Sequence, residues 1–134
     1  MANTMTVEVV SPERLLYSGE ATMVITRTLE GGEIAFQAGH MPFLGALADS
    51  HTRIITADGS VIDLAVHGGF VEVGGNTVSI LSDAAELSGE IDVARAQTAR
   101  DRAQEHLRSE HDAEAVAALS RAHARLAAAG LPPR

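Results

Sequence analysis

At 134 residues, 46% hydrophobic but only 3% aromatic, the chain is long enough for one domain with a small appendage and a core of Val, Ile, Leu and Ala. It has no cysteine, which excludes disulfides, zinc–thiolate sites and cysteine nucleophiles together. Every basic residue is Arg: residues 1–88 carry 3 Arg against 11 acids and residues 89–134 carry 7 against 7, an acidic leading part that argues against nucleic acid, which needs clustered cations.

That acidity suits a partner with a basic surface, although plain solubility explains it equally. The opening "MANTMTVEVV" has neither a basic segment nor a long apolar run, so no signal peptide is expected. No stretch approaches the ~18–20 apolar residues of a membrane span. The expectation is cytoplasmic synthesis, with any membrane association indirect.

In chain order, the pattern up to Leu87 has period two, as when one strand face packs inward and the other meets water. "TMTVEVV" puts Met5, Val7 and Val9 on one face, and "TMVITRT" sets Met23 and Ile25 opposite Val24 and Thr26. Gly31-Gly32 marks a turn. "RIITADGSVIDLAV" reads as a hairpin around Asp58-Gly59, and "FVEVGGNTVSIL" as one turning at Gly74-Gly75-Asn76. Short strands with glycine punctuation predict a β-sandwich or flattened barrel of about 85 residues.

From Ser88 the composition changes: Ala supplies 13 of the last 46 residues. Ala96, Ala99, Ala103 and Leu107 follow helical spacing, as do Ala115, Leu119, Ala122 and Leu126. Asp92 and Asp112 are candidate N-caps, "SEHD" (109–112) is the turn, and Gly130 with Pro132-Pro133 ends the second helix. Together these make an antiparallel helical hairpin. Its sizeable apolar residues are Leu107, Val116, Leu119 and Leu126. Each contributes roughly 1.5–3 kcal/mol on full burial, against about 1–2 kcal/mol per ordered backbone residue. Such a hairpin must dock on the sandwich, on a partner or on a ligand. The predicted division is residues 1–87 and 88–134.

The arginines carry the clearest chemistry. Arg95 and Arg102 point within about 20° of each other on an ideal helix and flank the alanine seam; Arg121 and Arg125, one turn apart, flank the second. Folded together, four guanidinium groups can converge on one flank. Such a cluster needs an anion or carboxylates, and planar forks suit phosphate oxygens. Ordinary surface pairing with Asp92, Asp101 and Glu105 is the other reading. His40, His51 and His67 with Glu72 lack the His-x-His pair of a cupin metal site. Gly68-Gly69 lacks the following helix of a P-loop and reads as structural.

Three stretches resemble the ε subunit family of F-type ATP synthases. "VEVVSPERLLYSGEA" (7–21) is similar to its opening strand and turn. "GEIAFQAGHMPFLGAL" (32–47) is similar to its Gly-Glu-(Leu/Ile)-Gly-(Ile)-x-Pro-Gly-His-x-Pro-Leu signature, with Ala35 and Ala38 in place of the usual Gly and Pro. "HGGFVEVGGNTVSILSDAAE" (67–86) is similar to its later strand pair, and "IDVARAQTARDRAQEHL" extends the likeness to the tail. The resemblance implies an α+β fold: a ten-stranded β-sandwich followed by a two-helix antiparallel hairpin. It implies a non-catalytic rotor subunit, peripheral on the cytoplasmic face of the bacterial membrane. The implied partners are the γ subunit, the c-ring and, through the helices, the α/β catalytic hexamer, with Glu33 and His40 at the c-ring or γ contact. The helices would extend along γ to restrain hydrolysis or fold back.

Some members bind ATP on the folded hairpin through (Ile/Leu)-Asp-x-x-Arg-Ala, which Ile91, Asp92, Arg95 and Ala96 match. The companions carried over are Glu86, Arg102, Arg121 and Arg125, the last two with a shorter inter-helix region than in those members. The resemblance thus implies ATP, with or without Mg²⁺, as a regulatory ligand and no required cofactor. The competing expectation is an unrelated ligand-binding sandwich that dimerises through its hairpin.

Overall fold

The computed structural model describes residues 3–131; the expected Pro132-Pro133 helix stop lies outside them. The strands are β1 (Met5–Val10), β2 (Leu15–Thr28), β3 (Gly32–Gln37), β4 (Phe43–Ala46), β5 (Ser50–Thr56), β6 (Val61–His67), β7 (Phe70–Gly74), β8 (Thr77–Leu81) and β9 (Ala84–Leu87). One 3-10 turn, Ser88–Glu90, leads into α1 (Val93–Ser109) and α2 (Ala113–Ala128).

The described residues hold nine strands rather than the expected ten. The physical reason is β2, which runs unbroken for 14 residues through both layers. Its first half pairs with β1, and its second half lies between β3 and β5. A register shift between Ala21 and Met23 marks the change of partner. One layer runs β4-β7-β8-β1-β2 and the other β3-β2-β5-β6-β9.

Alternation decides what fills the space between them. Met5, Val7 and Val9 of β1 are buried, as are Val24 of β2, Phe36 of β3, Ile54 of β5, Leu64 and Val66 of β6, Val71 of β7 and Val78 and Ile80 of β8. Thr26 and Thr52, also buried, satisfy each other at 2.8 Å. The two predicted hairpin turns form. Gly75 and Asn76 both take positive φ, 58° and 61°, the conformation that a two-residue turn between twisted strands requires. At the other, Asp58 accepts from the Thr56 hydroxyl at 2.5 Å and the Ser60 amide at 2.9 Å. These bonds, the Thr56 hydroxyl first, hold the Asp58 carboxyl at about 2.

Both predicted caps are in place: Asp92 accepts from the Arg95 amide at 3.0 Å and Asp112 from the Glu114 amide at 2.9 Å. Gly130, at φ 86°, closes α2, with Leu131 N–H donating to the Leu126 carbonyl. The seam is thinner than the spacing suggests. Leu126 is buried, but Val116 is 44% exposed, and the rest of the buried set in α2 is Ala115, Ala122, Ala124 and Ala128. α2 lies on β5 and β6 and α1 rides on α2. At its end Ala128 packs with Ala65 and Ile91. The hairpin therefore holds to the sandwich through small side chains and polar contacts.

Candidate functional site

Where β9, the 3-10 turn and both helices meet, a cleft of about 390 Å³ opens between sandwich and hairpin. Glu86, Glu90, Asp92, Arg95, Ala96, Ala99 and Arg125 line it, and its size falls within the range of about 300–1,000 Å³ typical of small-molecule sites. A second cleft of about 290 Å³ shares Glu86 and Arg125 and extends to Arg14. Glu86 is the junction: its Oε1 takes Arg125 Nε at 2.6 Å and His67 Nε2 at 3.2 Å.

Five of the eight residues singled out for a nucleotide meet in this cleft: Glu86, Asp92, Arg95, Ala96 and Arg125. Ile91 is 9% exposed and anchors the hairpin against Ala65 and Ala128, so its contribution is apolar. Arg102 and Arg121 are not among the lining residues; Arg102 is exposed, seven residues up α1 from Arg95, about 10 Å along the axis. Arg121 pairs with Glu114 of its own helix at 3.1 Å. The short turn thus brings one arginine of each pair to the cleft mouth and leaves the other pair a tier above.

Glu33 lies on β3 in register with Arg27, exposed, beside a cleft of about 370 Å³ that reaches His51, Arg53 and α2. The His40 ring packs edge-on against Phe36 at 4.9 Å, and its Nδ1 is 2.7 Å from the Met41 carbonyl, so it braces its own loop. His51 pairs with Asp63 at 2.6 Å. Gly68 and Gly69 take φ of 66° and 100° at the β6–β7 turn, in keeping with a structural role.

Four features escape sequence reasoning. Arg14, from the β1–β2 turn, holds Glu90 with two bonds, 2.9 and 2.5 Å, and keeps that carboxyl below the usual range. Arg100 lies 4% exposed on the seam of α1, its Nε 3.0 Å from Asp101. His67 is buried beneath the hairpin. On the opposite layer, register aligns Ala46, Phe70, Leu81, Val10 and Leu15 across five strands, with Phe70, Leu81 and Leu15 all more than half exposed. The signal for this row was present: β1, β7 and β8 carry apolar residues at outward positions of an otherwise alternating pattern.

Fold and cleft define a small two-part subunit in which an antiparallel hairpin folds back on a β-sandwich. The family model described as the ATP synthase delta/epsilon chain β-sandwich domain matches residues 4–88, and that of the long α-helix domain matches residues 90–130. The ATP synthase epsilon chain of Brevibacillus brevis is 52% identical over 103 residues, covering 77% of each chain. That of Streptomyces coelicolor is 43% identical over 129 residues, covering 96% of this chain and 98% of its own. A chain in the Euglena gracilis mitochondrial ATP synthase structure shares the fold, with TM-score 0.81 and 24% identity over 94% of this chain and 81% of that one. The chain belongs to the ATP synthase delta/epsilon family and is an epsilon subunit of the F-type enzyme. This removes the unrelated, dimerising sandwich.

Proposed function

We propose that this subunit is a non-catalytic rotor part that helps couple γ to the c-ring, and that ATP bound in the junction cleft holds its hairpin folded. The division falls at residues 87 and 88: the sandwich is the rotor-binding unit and the hairpin the regulatory one. Unlatched, the hairpin extends along γ towards the α/β hexamer and restrains hydrolysis. The subunit sits peripherally on the cytoplasmic face of the bacterial membrane. The observation carrying this reading is the meeting of Arg95 and Arg125, one from each helix, with Glu86 and Asp92 around one cleft.

A triphosphate is the ligand that suits this arrangement. Arg125 is one third exposed and meets Glu86 through its Nε, so a phosphate can add to its terminal nitrogens without breaking that pair, with a second fork, Arg95, nearby. Arg102 and Arg121 then serve the outer phosphates after modest side-chain reorientation. Titrating the full chain with Mg²⁺-ATP is expected to give saturable one-site binding, weakened about tenfold in Arg95→Gln by loss of a charge-assisted pair. Heat of dilution alone at millimolar ATP would refute nucleotide binding and leave the subunit assignment untouched.

The γ contact is the apolar row on the layer away from the hairpin. Three large side chains at 57%, 55% and 52% exposure (Leu15, Phe70 and Leu81), flanked by Leu44 at 68%, form the kind of patch that soluble chains bury against a partner. Glu33 remains the proposed c-ring contact because it is exposed beside the β2–β3 turn. His40 contributes by holding the neighbouring loop in shape. Phe70→Asp puts a carboxylate in the row and should weaken γ retention in a pull-down at least about tenfold; undiminished retention would move the contact elsewhere.

A further inference from the structure

We infer that His67 makes docking of the hairpin proton-sensitive: α2 seats on β5 and β6 while the His67 ring is neutral and lifts when the ring takes a second proton. The inference rests on the proposal that the hairpin moves, and it adds a second input beside nucleotide.

His67 ends β6 under α2 and is 6% exposed. Its Nε2 and the Nε of Arg125 converge on one oxygen, Glu86 Oε1, at 3.2 and 2.6 Å. A carboxylate oxygen only accepts, so the neutral ring carries its hydrogen on Nε2. Nδ1 is then a bare acceptor, buried and without a partner among the described residues. A second proton makes Nδ1 a buried donor facing no acceptor, which is costly. It also turns a neutral Glu86–Arg125 pair into two cations on one carboxylate.

The charged and titratable groups around the ring come from each element packed on it. Glu86 of β9 favours the proton, Arg125 of α2 opposes it, and Asp49 of the β4–β5 turn favours it. Burial outweighs them, holding the ring below its ordinary range. His51 and Asp63, on the same layer, are bonded to each other, and His123 of α2 lines the cleft beside them with its Nε2 buried and unbonded among the described residues. Three responses can relieve a charged His67: Glu86 releases Arg125, Asp49 swings in, or α2 lifts and admits water. The first also frees α2, since it breaks its polar hold. The third is cheap because α2 meets the sandwich there through alanines, with Ala128 on Ala65.

The sign follows from linkage. A base whose folded-state affinity for protons is depressed contributes stability that is present above its free value, about 6.5, and is lost as pH falls from there through the docked value. Acidification therefore favours the undocked hairpin.

The native chain has no cysteine, so Ser60→Cys with Thr98→Cys gives a uniquely labelled dye pair spanning sandwich and hairpin in the full chain. Without nucleotide, from pH 8 to 5.5 at fixed ionic strength, the undocked-to-docked ratio is expected to rise by up to about tenfold per pH unit, the limit for one proton. His67→Gln, which can still donate to Glu86 but does not titrate, should flatten the profile. A flat wild-type profile, or an unchanged slope in His67→Gln, overturns the inference. Should His67→Gln fold poorly, the His67 ring resonance of the unsubstituted chain must titrate at the same midpoint as the distance change, and separate midpoints overturn it. With no nucleotide present, these failures leave ATP binding standing.

Discussion

Replacing Gly69 by alanine is expected to lower the unfolding free energy of the sandwich by on the order of 3 kcal/mol or more. A Cβ there meets the Leu81 carbonyl oxygen at 2.0 Å and Ser82 Cα at 2.7 Å, both backbone atoms that cannot rotate away, and φ is 100°. The Gly69 carbonyl also accepts from the Leu47 amide at 2.8 Å, tying the β6–β7 turn to the end of β4. Displacing it disturbs His67 and the edge of β7 together. Gly59 is the control: φ is 90°, but a Cβ would meet nothing within 4 Å, so alanine there costs only the backbone strain, about 1 kcal/mol. Urea unfolding of the two variants separates clash from strain, and equal losses would show that the contact at Gly69 relaxes.

Removing the Glu86 side chain has the larger effect on the hairpin. Glu86→Ala leaves Arg125 and the His67 Nε2 hydrogen without their acceptor beneath α2. The Glu86 and Arg125 side chains are 30% and 33% exposed, placing the pair between surface bridges, worth about 0–1 kcal/mol, and buried ones, whose breakage costs about 3–5. A loss of about 2 kcal/mol from docking follows, roughly a thirtyfold rise in the undocked population. Limited proteolysis in α2 reads this directly. Arg121→Ala is the contrast: its partner Glu114 is on the same helix and 78% exposed, so docking should change by under about 0.5 kcal/mol. Equal protease sensitivity in both would mean that Glu86 does not hold the hairpin.

What could be read in advance was whatever depends on neighbours in sequence. Alternation set Val7, Val9 and Val24 inward; Asp92 and Asp112 announced their helices; Asn76 and Gly75 fixed a turn. What could not be read depends on distant partners. β2 reads as separate short strands because only its changing neighbours, β1 and then β3 and β5, carry it through both layers. Arg100 stands four residues after Ala96 and three before Ala103, so spacing places it on the seam, and only its charge points the other way. His67 reads as a strand histidine until α2 covers it. For the cleft, spacing on one helix placed Arg95, but which arginine of α2 would join it depended on the length of the turn. The answer was Arg125, with Arg121 turned to Glu114.

On the proposed mechanism, nucleotide binding and hairpin docking form one equilibrium. Amide exchange in α2 of the full chain, at pH 8 with and without Mg²⁺-ATP, tests it. At ATP tenfold above its dissociation constant, protection of α2 is expected to rise about tenfold while the β1 and β8 amides hold constant. Saturating ATP that leaves α2 exchange unchanged would contradict the account.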